Sequence, residues 1–279
     1  MAGFGRKLKD KKKGIKNINI SKEKIINQAF LLHSQGNIKE AAKYYQYLIN
    51  QGVQDHRVFS NYGLLLKELG KLKEAEGITR KAIELNPNYA LGHSNLGGIY
   101  NSLGKFKEAE LSIRKAIKLN PNEAELHSNL GNILRDLGRL LEAEGITRKA
   151  IELNPQYANA HYNLGNILRD LKKLSEAEIS FKKAIKLQPN FFEAHRDLGI
   201  CLYLLKDIDS ALKCIEKANY LDNKNRTNKL LLSIFQREQT VNDKESRKTN
   251  LESSFAKPNS NSNHITLNLP VDKKLVECL

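Results

Sequence analysis

The chain has 279 residues, 40% of them hydrophobic, with 46 Lys/Arg against 31 Asp/Glu and a net charge of +15. That length suits one or two folded domains, and no stretch approaches the roughly 18 consecutive apolar residues of a membrane span. Three cysteines, Cys201, Cys214 and Cys278, form no C-x-x-C and are too few for a disulfide framework, which fits a reducing, cytoplasmic setting.

Residues 1–21 read as a basic, flexible arm. Residues 1–24 carry nine Lys/Arg and two Asp/Glu, a net of +7, against +8 for the rest of the chain. The opening MAGFGRKLKDKKKG lacks the apolar core of a secretory signal, and Ala2 breaks the myristoylation pattern. Such an arm can attract nucleic acid or an anionic membrane surface. A solvated arm with no ligand is the simpler expectation.

From Lys22 onward the sequence repeats itself. EAEGITRKAIELNP occurs at 74–87 and again at 142–155, and LGNILRDL at 130–137 and 164–171. Asn-Pro pairs at 86–87, 120–121 and 154–155 are 34 residues apart, and Gln188-Pro189 continues the series. A fixed period of this length predicts a helical solenoid. Six repeats fit without gaps: 22–55, 56–89, 90–123, 124–157, 158–191 and 192–225. Within one repeat, Leu130, Ile133, Leu134 and Leu137 have helical spacing. A turn follows at Gly138-Arg139, and a second helical run starts near Leu140. One such hairpin cannot bury its apolar stripe alone, whereas stacked neighbours bury it continuously. Gly77 and Gly145 fall inside second helices, where each costs about 1 kcal/mol relative to alanine.

Small residues mark the expected close approaches. Position 8 of the repeats holds Ala29, Gly63, Gly97, Gly131, Gly165 and Gly199, and position 20 is alanine six times, from Ala41 to Ala211. Position 27 reads Leu48, Ala82, Ala116, Ala150, Ala184 and Ala218, and position 32 is Pro87, Pro121, Pro155 and Pro189 in four repeats. Proline there ends the second helix. Residues 226–237 read as a capping helix with Leu230, Leu231, Ile234 and Phe235 facing inward. Residues 238–279 read as a polar, disordered tail with a short apolar end.

Over residues 22–225 this pattern resembles the tetratricopeptide repeat family. The resemblance implies an all-α, right-handed superhelical solenoid of six helix-turn-helix repeats, with the helix at 226–237 as its cap. Position 4 departs from the family's usual large aromatic, reading Ile25, Phe59, His93, His127, His161 and His195. The resemblance also implies that the first helices line a concave groove, which makes repeat position 6 informative. It reads Asn27, Asn61, Asn95, Asn129, Asn163 and Asp197. An asparagine both donates and accepts, so a file of them matches the backbone of an extended peptide. In this respect the chain is similar to the repeat region of protein O-linked N-acetylglucosamine transferases. The alternative is that these amides satisfy neighbouring backbone groups.

Asn132 and Asn166 at position 9, and Arg135 and Arg169 at position 12, extend the candidate groove. The arginines either grip acidic side chains of a partner or pair with Asp136 and Asp170. No catalytic, cofactor or metal site is expected. His93, His127, His161 and His195 are one repeat apart, too far to share a metal ion. No phosphate loop, H-E-x-x-H or G-x-S-x-G occurs, and Cys201 occupies a position that is Leu or Ile in the other repeats. The expected function is non-enzymatic: a scaffold holding extended or disordered segments of partner proteins, with no small-molecule substrate. The competing expectation is a substrate-targeting module, or truncated relative, of a repeat-linked transferase or oxygenase.

Overall fold

A computed structural model describes residues 22–255; the expected arm at 1–21 and the tail from 256 onward lie outside the described residues. The chain divides into two compact units, residues 1–232 and 233–279. Thirteen helices and no strand occur among the described residues. The first helices of the repeats are α1 (Lys22–Ser34), α3 (His56–Glu68), α5 (Ala90–Ser102), α7 (Ala124–Asp136), α9 (Ala158–Asp170) and α11 (Phe192–Leu204). The second helices are α2 (Ile38–Asn50), α4 (Leu72–Leu85), α6 (Phe106–Leu119), α8 (Leu140–Leu153), α10 (Leu174–Leu187) and α12 (Ile208–Leu221). Helix α13 spans Arg226–Phe255. In the first unit each first helix packs on its own second helix, and each second helix packs on the next first helix. This is a solenoid of helical hairpins.

The sequence dictates where each hairpin turns. The residue at repeat position 15 lies in the left-handed region, with φ between 71° and 75° at Gly70, Gly104 and Gly138, and 64° and 68° at Lys172 and Lys206. After α7, the Gly138 N–H donates to the Arg135 carbonyl and the Arg139 N–H to the Leu134 carbonyl, which satisfies the helix end. The second helices α4, α6, α8 and α10 stop before proline. Beyond them the Asn86 side chain accepts from the Asn88 N–H at 3.1 Å, and Asn154 from the Gln156 N–H at 3.0 Å.

In repeats 2 to 6 the two helices of a hairpin meet where position 8 has no side chain; repeat 1 has the buried Ala29 there. A Cβ at Gly97 would lie 2.7 Å from Ile113, one at Gly165 2.6 Å from Phe181, and one at Gly199 2.9 Å from Ile215. Gly63 and Gly131 face Thr79 and Thr147 still more closely. The alanines at position 20 are fully buried. Gly77 and Gly145 are different: a Cβ at either meets nothing within 4 Å.

Two periodic polar contacts tie the repeats together. At position 4, His93, His127, His161 and His195 each place Nε2 2.8–3.0 Å from the carbonyl of the preceding proline: Pro87, Pro121, Pro155 and Pro189. A carbonyl only accepts, so Nε2 carries the proton. On the second helices, Glu76, Glu110 and Glu144 each bind Arg80, Arg114 or Arg148 one turn on, and Lys105, Arg139 or Lys173 of the next repeat at 2.8–2.9 Å. Repeat 6 has Asp207 where the cation would stand, and Glu178 pairs with Lys182.

Helix α13 differs from the expected cap. It runs to Phe255, beyond the expected end at 237, through a segment with neither Gly nor Pro to stop it. Leu231 and Phe235, four residues apart, are buried, whereas Leu230 is 49% exposed because it lies off that stripe.

Opposite outcomes are expected at the two kinds of helical glycine. Gly145→Ala, in open space, raises stability by up to about 1 kcal/mol, whereas Gly131→Ala lowers it by about 2 kcal/mol or more through overpacking; chemical denaturation measures both. Separately, the hydrogen bond from Lys173 holds the Glu144 carboxyl below its ordinary value, and that from Lys105 does so for Glu76. A carboxyl depressed in the folded state stabilises above its unfolded value and loses that contribution as pH falls through the folded one. Between about pH 5 and pH 3 the melting temperature of the native chain therefore drops further than that of a Glu76→Gln/Glu144→Gln variant.

Candidate binding face

Consecutive first helices also pack on one another, from α1 through α11. Repeat positions 6, 9 and 12 therefore form rows along one continuous wall. The position 6 row is not uniform. Asn27 is exposed. The Asn61 amide donates to its own helix at the Arg57 carbonyl, 2.9 Å away. Asn95 donates to the Ser60 hydroxyl at 2.9 Å, and Asn163 to the Ser128 hydroxyl at 3.0 Å. Each of these serines stands one repeat earlier. The donors of these amides thus point into the fold, and their oxygens remain for a ligand. No side-chain hydrogen bond within the described residues engages Asn129.

The end of the row is ionic. Asp197 is only 5% exposed. It accepts from the Tyr162 hydroxyl at 2.6 Å and from Arg196 Nε at 3.1 Å, with Arg169 3.5 Å away. Burial and the Asp197 charge push the Tyr162 hydroxyl up to about 12. Arg135 Nε donates to Asp170 of the next repeat at 2.7 Å, and its Nη1 to Asn132 at 3.4 Å. Its sequence neighbour Asp136 is 4.0 Å away. Both arginines are therefore engaged, mainly across repeat boundaries rather than with the adjacent aspartate. Asn166 is 4% exposed, and its Oδ1 has no partner among the described residues.

Asn129, Asn132 and Asn163 come together in a depression of about 450 Å³. Tyr157, Asn159, Tyr162, Phe191 and Glu193 complete its walls. The Tyr162 and Phe191 rings pack with centroids 4.8 Å apart. These five residues occupy repeat positions 34, 2 and 5, which sequence reasoning left out of the groove. The signal was available in repeats 4–6: aromatics recur at position 34 as Tyr157 and Phe191, and Tyr162 replaces the serine of earlier repeats at position 5.

The remaining reactive side chains serve the core. Cys201 is fully buried and its thiol donates to the Leu174 carbonyl. Burial pushes the Cys201 and Cys214 thiols up to about 11, away from thiolate chemistry at neutral pH. Among the described residues no three His, Cys, Asp or Glu side chains could hold a metal ion, and no helix is long and apolar enough to cross a membrane.

Family models described as tetratricopeptide repeat match residues 56–89, 90–123, 113–145 and 158–191. No curated protein matches the sequence. Among solved structures, the Cut9-Hcn1 structure of the APC/C hetero-tetramer superposes with a TM-score of 0.72 at 17% identity, covering 79% of this chain and 44% of that one. A tetratricopeptide repeat protein of Thermus thermophilus gives 0.59 at 21% identity, covering 65% and 98%. Pseudomonas aeruginosa pilF gives 0.59 at 23%, covering 72% and 91%. These likenesses show the fold.

Removing Asp197 leaves two guanidinium groups and a buried hydroxyl short of their acceptor. Asp197→Ala accordingly costs about 3 kcal/mol of stability, measured by denaturant unfolding. Glu125→Gln, an exposed carboxylate without an ion pair, changes it by less than about 0.5 kcal/mol.

Proposed function

We propose that this chain, built of tetratricopeptide repeats, is a protein-interaction scaffold that holds an extended segment of a partner along the wall formed by its first helices. The observation that carries the reading is the convergence of Asn129, Asn132 and Asn163 in one depression flanked by aromatic rings. Amide side chains there meet an extended backbone with hydrogen-bonding groups, and the rings supply apolar area without demanding one sequence. The repeats themselves support a binding role, as does the continuous wall of packed first helices.

The resemblance to O-linked N-acetylglucosamine transferases rests on the position 6 asparagines. The inward hydrogen bonds of Asn61, Asn95 and Asn163 alter that comparison, since acceptors dominate what these residues offer. Recognition of backbone N–H groups therefore leads, with Asn129 the member that can also donate. The function inferred is binding, with no bond made or broken by this chain.

The experiment is a titration with random extended peptides, followed by affinity measurement of those selected. Asn129→Ala with Asn132→Ala is expected to weaken binding by about tenfold, or about 1.4 kcal/mol, with unchanged helix content. Unchanged affinity removes this wall from the account.

A further inference from the structure

We propose that the depression over repeats 4 to 6 receives a basic side chain, arginine or lysine, of the bound segment. This rests on the first-helix wall being the polypeptide site, and adds the chemical class of residue that it selects.

The walls carry a carboxylate, Glu193, and no cation. Glu193 and the nearby Glu123 and Glu125 take part in no ion pair among the described residues; both of the latter act electrostatically on the Tyr157 hydroxyl, which lines the depression. The neighbouring cations are already committed. Arg196, which feels Glu193, donates to Asp197, and Arg135 donates to Asp170. Two lining groups offer acceptors to a donor, while Asn129 and Asn132 also present N–H groups. Asn163 has turned its amide N–H to Ser128, leaving Oδ1 for a ligand. The Tyr162 hydroxyl has given its proton to Asp197 as a hydrogen bond. The Tyr157 and Tyr162 rings offer aromatic surface to a guanidinium or an ammonium, whereas Phe191 is buried against Tyr162. An acidic side chain would meet Glu193, with Arg196 and Arg135 already hydrogen-bonded to Asp197 and Asp170.

The whole chain carries +15, which at long range opposes a basic partner. Charges more than about 8 Å apart are largely screened at physiological ionic strength. The carboxylates beside the depression therefore decide the selection, while the distant excess slows encounter.

The test uses the full chain and fluorescent peptide pools with one central residue fixed as Arg, Lys, Leu, Gln or Glu and the others degenerate. Arg and Lys pools are expected to bind about tenfold more tightly than the Glu pool at low salt, with the gap narrowing as salt rises. Glu193→Gln, with its melting temperature checked against the native chain, is expected to shrink the gap to about twofold while Leu and Gln pools keep their affinity. Equal binding of all pools, preference for Leu or Glu, or a gap untouched by Glu193→Gln overturns the basic-residue inference and leaves the scaffold reading standing. Failure of every pool to bind overturns both.

Discussion

In repeats 2 to 6 the helices of each hairpin meet at a point that leaves no room for a side chain, and the rest of the stack follows from that contact. Glycine at position 8 lets Ile113, Phe181 and Ile215 reach across from the second helix, with Cβ-equivalent clearances under 3 Å. Alanine at position 20 fills the opposite side of the same seam. Once that distance is set, the second helix has a fixed face left for the next hairpin, and the repeat can be copied. Thr79 and Thr147 occupy this seam with hydroxyls that lack a partner among the described residues. The unpaired hydroxyls oppose the packing gain in those repeats, since a buried orphan hydroxyl costs about 1–3 kcal/mol.

Stacking alone would give five equivalent interfaces between the six repeats, but the polar contacts divide them. The glutamate clamps on the second helices join repeats 2 to 3, 3 to 4 and 4 to 5. Their cations are 40–44% exposed, and pairs of that kind contribute about 0–1 kcal/mol each. On the opposite side, the series Arg135, Asp170, Arg169, Asp197 and Arg196 runs across repeats 4 to 6. Asp197 and Arg169 are its most buried members, and the series links the first helices where the depression lies. Tyr162 belongs to both: its hydroxyl anchors to Asp197 and its ring walls the depression. The depression and the ionic series across repeats 4 to 6 thus share Tyr162.

The fold was legible because periodicity reports packing directly. A 34-residue spacing with small residues at positions 8 and 20 admits one way of burying the apolar stripes. The site was less legible because sequence gives a residue type and not the direction its amide faces. Asn95 and Asn163 fit the expected row, yet their donors are taken by Ser60 and Ser128, thirty-five residues back. Arg135 could be seen to have an aspartate beside it, but the geometry of a helix sends its side chain to Asp170 instead. Tyr157, Phe191 and Glu193 went unnoticed because they sit at the repeat junction, outside the stretch read as groove. The long helix through Phe255 was missed for a different reason: a polar composition says that a segment lacks a core, not that its backbone leaves the helical state.

The central claim is that a partner polypeptide lies along the first helices, and side-chain amide NMR signals address it most directly. On adding a peptide that binds, the Asn129 and Asn132 amide signals are expected to shift, because those groups border the depression and Asn129 has no internal side-chain hydrogen bond to break. Methyl signals of Leu111, Leu141 and Ile179, which are 68–74% exposed on the second helices, are expected to stay in place. Shifts of those methyls with the asparagine amides unmoved would put the partner on the opposite face and contradict the account.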